Sequence, residues 1–138
     1  MRAGRHLVLV IWLASAVCAQ TESHFLQRYL DHQHAIAACP DVQCYRALLK
    51  RNGSTGTVAK LDAMPDTALA SLFAVEQDWA THEFDAVGAR EWMVDHETVD
   101  GDHATLVLRR RVHAEGEQSQ RRVTMYFTRE AGDWKLGQ

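Results

Sequence analysis

The sequence predicts an α+β domain: helices first, then an antiparallel β-meander that they cover on one side. Two observations carry this. Apolar residues recur every three or four positions up to Phe84 and every second position after it. The alternating half is punctuated at Asp100-Gly101-Asp102 and Ala131-Gly132-Asp133, which read as hairpin turns. A chain of 138 residues that is 46% apolar and 24% charged, with two prolines, suits a single globular domain. It excludes a multidomain enzyme, a disordered tail and a disulfide-packed mini-protein.

The first element belongs to export rather than to the fold. Met1–His6 carries Arg2 and Arg5, and Leu7–Val17 is almost wholly apolar. Small residues at Val17-Cys18-Ala19 favour cleavage before Gln20, so residues 1–19 read as a signal peptide and 20–138 as the domain. The apolar run is too short to span a bilayer comfortably, and no stable membrane insertion is expected after cleavage. The expected location is secreted or periplasmic. Losing Arg2 and Arg5 leaves 13 Lys+Arg against 18 Asp+Glu, a net charge of −5. That disfavours nucleic acid as a partner, since such binding is driven by positive charge.

A helix is expected over Thr21–Ala38, with Phe25, Leu26, Tyr29, Leu30, Ile36 and Ala37 on one face and Thr21 as its N-cap. Pro40 stops it, and Asp41 can cap a second helix that presents Val42, Tyr45, Leu48 and Leu49 and ends at Asn52-Gly53. Cys39 and Cys44 flank this corner and, in an oxidising compartment, are expected to form a disulfide. Ser54–Gly56 reads as a loop. The next helix runs from about Pro65-Asp66 to Thr81, with Leu69, Leu72, Phe73 and Trp79 inward.

Strands follow at Arg90–Val99, His103–His113, Arg121–Arg129 and around Trp134 and Leu136, with Ala114–Gln120 as a polar loop. Pairing 99 with 103 sets Val94 opposite Leu108 and Trp92 near Arg110. Matching apolar to apolar then sets Leu108 against Phe127, Arg110 against Met125, and Phe127 against Leu136. The inward face so predicted includes Trp92, Val94, His96, Ala104, Leu106, Leu108 and Arg110. His96 and Arg110 are foreign to a dry core. A buried guanidinium needs a carboxylate, a route to solvent or a pocket.

The segments V-x-G-D-x-A-T-L-V-L (Val99–Leu108) and R-E-A-G-D-W-K-L (Arg129–Leu136), placed after helices, resemble the nuclear transport factor 2-like superfamily. The resemblance implies a cone of helices on a bent sheet, a concave face that encloses a ligand cavity, and sheet-to-sheet homodimers as an available assembly. The Cys39-Pro40 corner departs from the usual first helix. With such a cone, Arg110, His96 and Trp92 become the expected site for a small anionic molecule. Arg109, Arg111, Arg121 and Arg122 gather at one hairpin end and form the expected surface for a protein partner, with Glu91 and Asp95 as ordinary neighbours.

Catalysis has little in its favour. Isomerases and dehydratases of the resembling superfamily place an Asp or an Asp–His pair inside the cone, and the candidates here are Asp78, Asp85 and His96. No nucleophile elbow, zinc-protease helix or phosphate-binding Gly-rich loop is present, and no cofactor or metal is expected. His32 and His34 lie two apart on a helix, so their rings diverge by about 200° and do not share an ion easily. The sequence therefore reads as an exported, non-catalytic binding protein. The alternatives are an inhibitor or immunity protein against an exported toxin, or a small isomerase-like enzyme.

Overall fold

The computed structural model describes residues 23–114 and 117–137, with the main chain alone at 111–114 and 117–119. The expected signal peptide, the cleavage point before Gln20 and the Thr21 cap lie outside the described residues.

Five helices cover a four-stranded antiparallel sheet, so the α+β class is as expected. Helix α1 (His24–Ala38) is capped by Ser23, whose Oγ accepts the Leu26 N–H at 3.1 Å. It buries Phe25, Tyr29, His32, Gln33 and Ile36, so two polar side chains share the inward stripe. Helix α2 (Val42–Asn52) is capped by Asp41, which accepts the Cys44 N–H at 2.8 Å. Cys39 and Cys44 stand at disulfide distance, their Cα atoms 5.5 Å apart.

The expected loop at Ser54–Gly56 is instead the start of helix α3 (Thr55–Asp62). Its Thr-Gly-Thr-Val opening has poor helix propensity, so tertiary contacts decide the matter. Ser54 Oγ accepts the Thr57 N–H, and the Glu130 carboxylate accepts the Thr55 N–H at 2.8 Å. Helix α4 (Asp66–Glu83) runs two residues beyond its expected end, and the short α5 (Gly88–Glu91) leads into the sheet.

Strands β1 (Met93–Asp100), β2 (His103–Ala114), β3 (Glu117–Glu130) and β4 (Asp133–Leu136) form a meander in sequence order. Gly101 and Gly132, with φ of 58° and 80°, turn the first and last hairpins. Two registers need correction. Asp95 is a bulge: Val94 pairs with Leu108, but His96 pairs with Val107 and Asp100 with His103. One extra residue reverses the alternation, so Glu97 and Val99 take the inward face and His96 turns outward.

Between β2 and β3 the strands slide by four positions. Ala104 faces Phe127, Leu106 faces Met125, Leu108 faces Val123 and Arg110 faces Arg121. Residues 117–120, expected as loop, are strand. An even displacement keeps every side chain on its face, which is why the inward assignment for β2 and β3 survives the wrong pairing. Phe127 faces Leu136 as expected.

The interior has two apolar clusters. One joins α1 to the sheet through Phe25, Tyr29, Phe84, Trp92, Ala104, Leu106, Leu108 and Phe127. The other sits among the helices around Ile36, Tyr45, Leu48, Leu61, Leu69 and Ala80. β4 is fastened to the α2–α3 corner: Gly53 bridges Leu136, and the Ser54 N–H donates to Leu136 O at 2.7 Å. Arg28 of α1 adds an ion pair to Asp133 at 2.5 Å.

Candidate ligand cavity

A cavity of about 520 Å³ opens between the two clusters, walled by α1, α2, α4, β3 and the end of β4. That is a volume typical of small-molecule sites. Much of its lining is apolar or aromatic, including Ile36, Leu49, Trp79, Val123, Met125 and Leu136. The polar groups come from four helices: Tyr29, His32 and Gln33 from α1, Tyr45 from α2, Thr57 from α3 and Glu76 from α4.

Each polar group is shaped by burial. His32 is buried, and desolvation, followed by the nearby Arg51 charge, lowers its pKa from 6.5 to about 4. The Asn52 amide donates to His32 Nδ1 at 3.1 Å, so the neutral ring carries its proton on Nε2. Burial pushes the Tyr29 hydroxyl up to about 12, against a hydrogen bond from the Trp79 indole that pulls it down. The Tyr45 hydroxyl is raised further by the same desolvation, and Glu76 repels the charged form of both phenols. Glu76 itself is half-buried, and desolvation raises its carboxyl above the ordinary range.

Two acceptors in this wall lack partners. Gln33 is 3% exposed, and its Oε1 is buried with no donor in reach among the described residues. Such an atom forfeits its hydration without compensation, which native interiors rarely tolerate unless something else completes the bond. Glu76 has no hydrogen bond or ion pair among the described residues.

The three residues expected to form the site do not meet around this cavity. Trp92 is a core residue, 3% exposed, stacked on Phe84 at 5.4 Å and donating its indole N–H to Glu83 O. His96 is exposed on the outer face because of the Asp95 bulge. Arg110 does point inward, but it meets carboxylates rather than a hollow. Its guanidinium lies 2.6 Å from Glu83 Oε2 and 2.6 Å from Glu91 Oε2.

Facing Arg110 across the strands is Arg121, an arrangement that would repel. The other oxygen of Glu83 holds Arg121, so one carboxylate clamps both cations. Asp95 similarly stands between Arg109, at 3.3 Å, and Arg122, at 3.6 Å. The expected basic surface is thus largely matched by acids of the same chain; the Arg111 side chain lies outside the description.

The candidate acids also fall elsewhere. Asp78 is exposed beside His82 at 3.1 Å, and Asp85 accepts the Gly88 N–H at 2.6 Å at the start of α5. The His32 and His34 rings diverge, one bonded to Asn52 and the other 3.1 Å from Phe84 O. Among the described residues no three His, Cys, Asp or Glu side chains gather as a metal site, and no helix is long and apolar enough to cross a membrane.

The cavity residues had a visible signal. Glu76 continues the α4 stripe of Leu69, Leu72 and Phe73, and His32 with Gln33 sits between Tyr29 and Ile36 on the α1 stripe. A polar residue at a core-facing position is the cue. What the fold and cavity define is an α+β protein with a ligand-sized hollow between helices and sheet. No protein-family model, curated protein or solved structure matches the chain.

Proposed function

We propose that this chain is an exported binding protein of nuclear transport factor 2-like architecture that holds a small molecule between its helices and sheet. The observation that carries the reading is a cavity of about 520 Å³ whose wall includes Gln33, a buried residue whose Oε1 has no donor among the described residues. A packed core would have no use for either. Export is supported by the charged-then-apolar N-terminal sequence and by a cysteine pair at disulfide distance. The architecture is supported by helices preceding a four-stranded meander whose inward face borders the cavity. A protein partner at the basic end has less support, because Glu83, Glu91 and Asp95 already engage its arginines.

Titration with the neutral fluorescent probe N-phenyl-1-naphthylamine tests the reading. Saturable enhancement with one probe per chain is expected. It should disappear in Val123→Trp, which fills the cavity, while the circular-dichroism melt stays cooperative. Absence of saturable enhancement in the parent protein, or enhancement unchanged by Val123→Trp, overturns it.

A second reading, a small proton-transfer enzyme, draws on one observation: Glu76 is raised by burial and stands near two phenols and a neutral imidazole. This set replaces the Asp78, Asp85 and His96 expected from sequence.

A further inference from the structure

The charge balance of the cavity narrows what it would accept. Among the described residues lining it, Glu76 is the single carboxylate and there is no lysine or arginine, while His32 is held neutral. The other polar groups there are the Gln33 amide, whose Oε1 has no donor among the described residues, the His32 Nε2–H, the Tyr29 and Tyr45 phenols, and Thr57 Oγ1, whose own proton goes to Leu136 O at 3.2 Å. Three aromatic side chains, Tyr29, Tyr45 and Trp79, share the same wall. Aromatic rings attract cations through their negative faces, most strongly where water is excluded. An unpaired, half-buried carboxylate gains most from a fixed positive charge beside it. An anion would meet the opposite: the repulsion of Glu76 and no compensating cation among the described lining residues.

Resting on the reading that this hollow is a binding site, we infer that its ligand is an organic cation, a primary or secondary ammonium on an apolar body. The ammonium would sit against Glu76, and the apolar body would occupy the space bounded by Val123, Met125 and Leu136. The Arg110 expected to hold an anion is not among the described residues of this cavity; Glu83 and Glu91 hold it elsewhere.

Three compounds with one indole skeleton and different heads separate the possibilities: tryptamine, tryptophol and indole-3-propionate. Isothermal titration at pH 7.5 should rank tryptamine about tenfold or more tighter than tryptophol, with indole-3-propionate weakest. Glu76→Gln should remove most of the tryptamine advantage over tryptophol. If tryptophol or indole-3-propionate binds as tightly as tryptamine in the parent protein, the cation preference is overturned and the cavity stands. The same holds if all three fail while N-phenyl-1-naphthylamine still binds. Should that neutral probe fail too, the binding site itself is refuted. Because the ranking is made on the parent protein, the test survives a Glu76→Gln variant that does not fold.

Discussion

Replacing Glu83 with alanine should expose how the inward guanidinium is tolerated. Glu83 is the last residue of α4, where a carboxylate opposes the helix dipole, and two arginines there offset that cost. Removing one partner of a buried pair costs about 3–5 kcal/mol, whereas exposed pairs contribute about 0.2–1 kcal/mol. The Arg110 and Glu83 side chains keep 19% and 14% exposure, and Glu91 stays bound to Arg110. An intermediate loss of about 2 kcal/mol follows. With a urea m-value of about 1–3 kcal/mol/M, the midpoint of the oxidised protein should fall by about 1 M. Glu83→Ala combined with Arg110→Met should recover most of the loss, because the stranded charge and its partner leave together. If Glu83→Ala unfolds within about 0.5 kcal/mol of the parent, or the double variant is no better than the single, the clamp reasoning is wrong.

Other expectations follow from the cavity wall and the corner. His32 has a folded pKa of about 4 against 6.5 unfolded, so only the unfolded chain gains its proton in that window. Stability should fall by about 3 kcal/mol from pH 6.5 to pH 4, and His32→Gln should flatten that part of the melting-temperature profile. Glu76 acts in the opposite sense: its raised folded pKa means stability is lost as pH rises through it, with Tyr29 and Tyr45 as the facing titratable groups. Glu76→Gln should therefore raise the melting temperature of the ligand-free protein at pH 7.5 and leave it unchanged at pH 4; no gain at pH 7.5 would contradict the burial of the carboxylate. Replacing both Cys39 and Cys44 with alanine should cost about 2 kcal/mol in denaturant titration, the value for so short a loop.

Much of the fold is legible locally. The change of hydrophobic period at Phe84, the Asp41 cap and the two glycine turns each act within a few residues, and all of them place elements correctly. The Asp95 bulge is not legible, because one unpaired residue leaves the composition of β1 unchanged yet moves His96 across the sheet. Nor is the β2–β3 register: with apolar residues at every second position, a displacement of four satisfies the pattern equally well. Helix α3 depends on Glu130, 75 residues away from Thr55. Polar residues on apolar stripes, the cue to the site, occur on both the strands and the helices. On β2 that cue led to an internal ion pair at Arg110; on α1 and α4 it leads to the cavity.

The fastening of β4 to the α2–α3 corner has a bearing on when the hollow can exist. Leu136 and Gly137 form part of its rim, while Tyr29, His32 and Gln33 supply the opposite wall from the first helix. The first described helix and the last described strand thus meet at one chamber. A proteolytic nick that frees the strand after Asp133 would leave most of the apolar core intact yet unroof the chamber, so occupancy would report on whether both ends are docked.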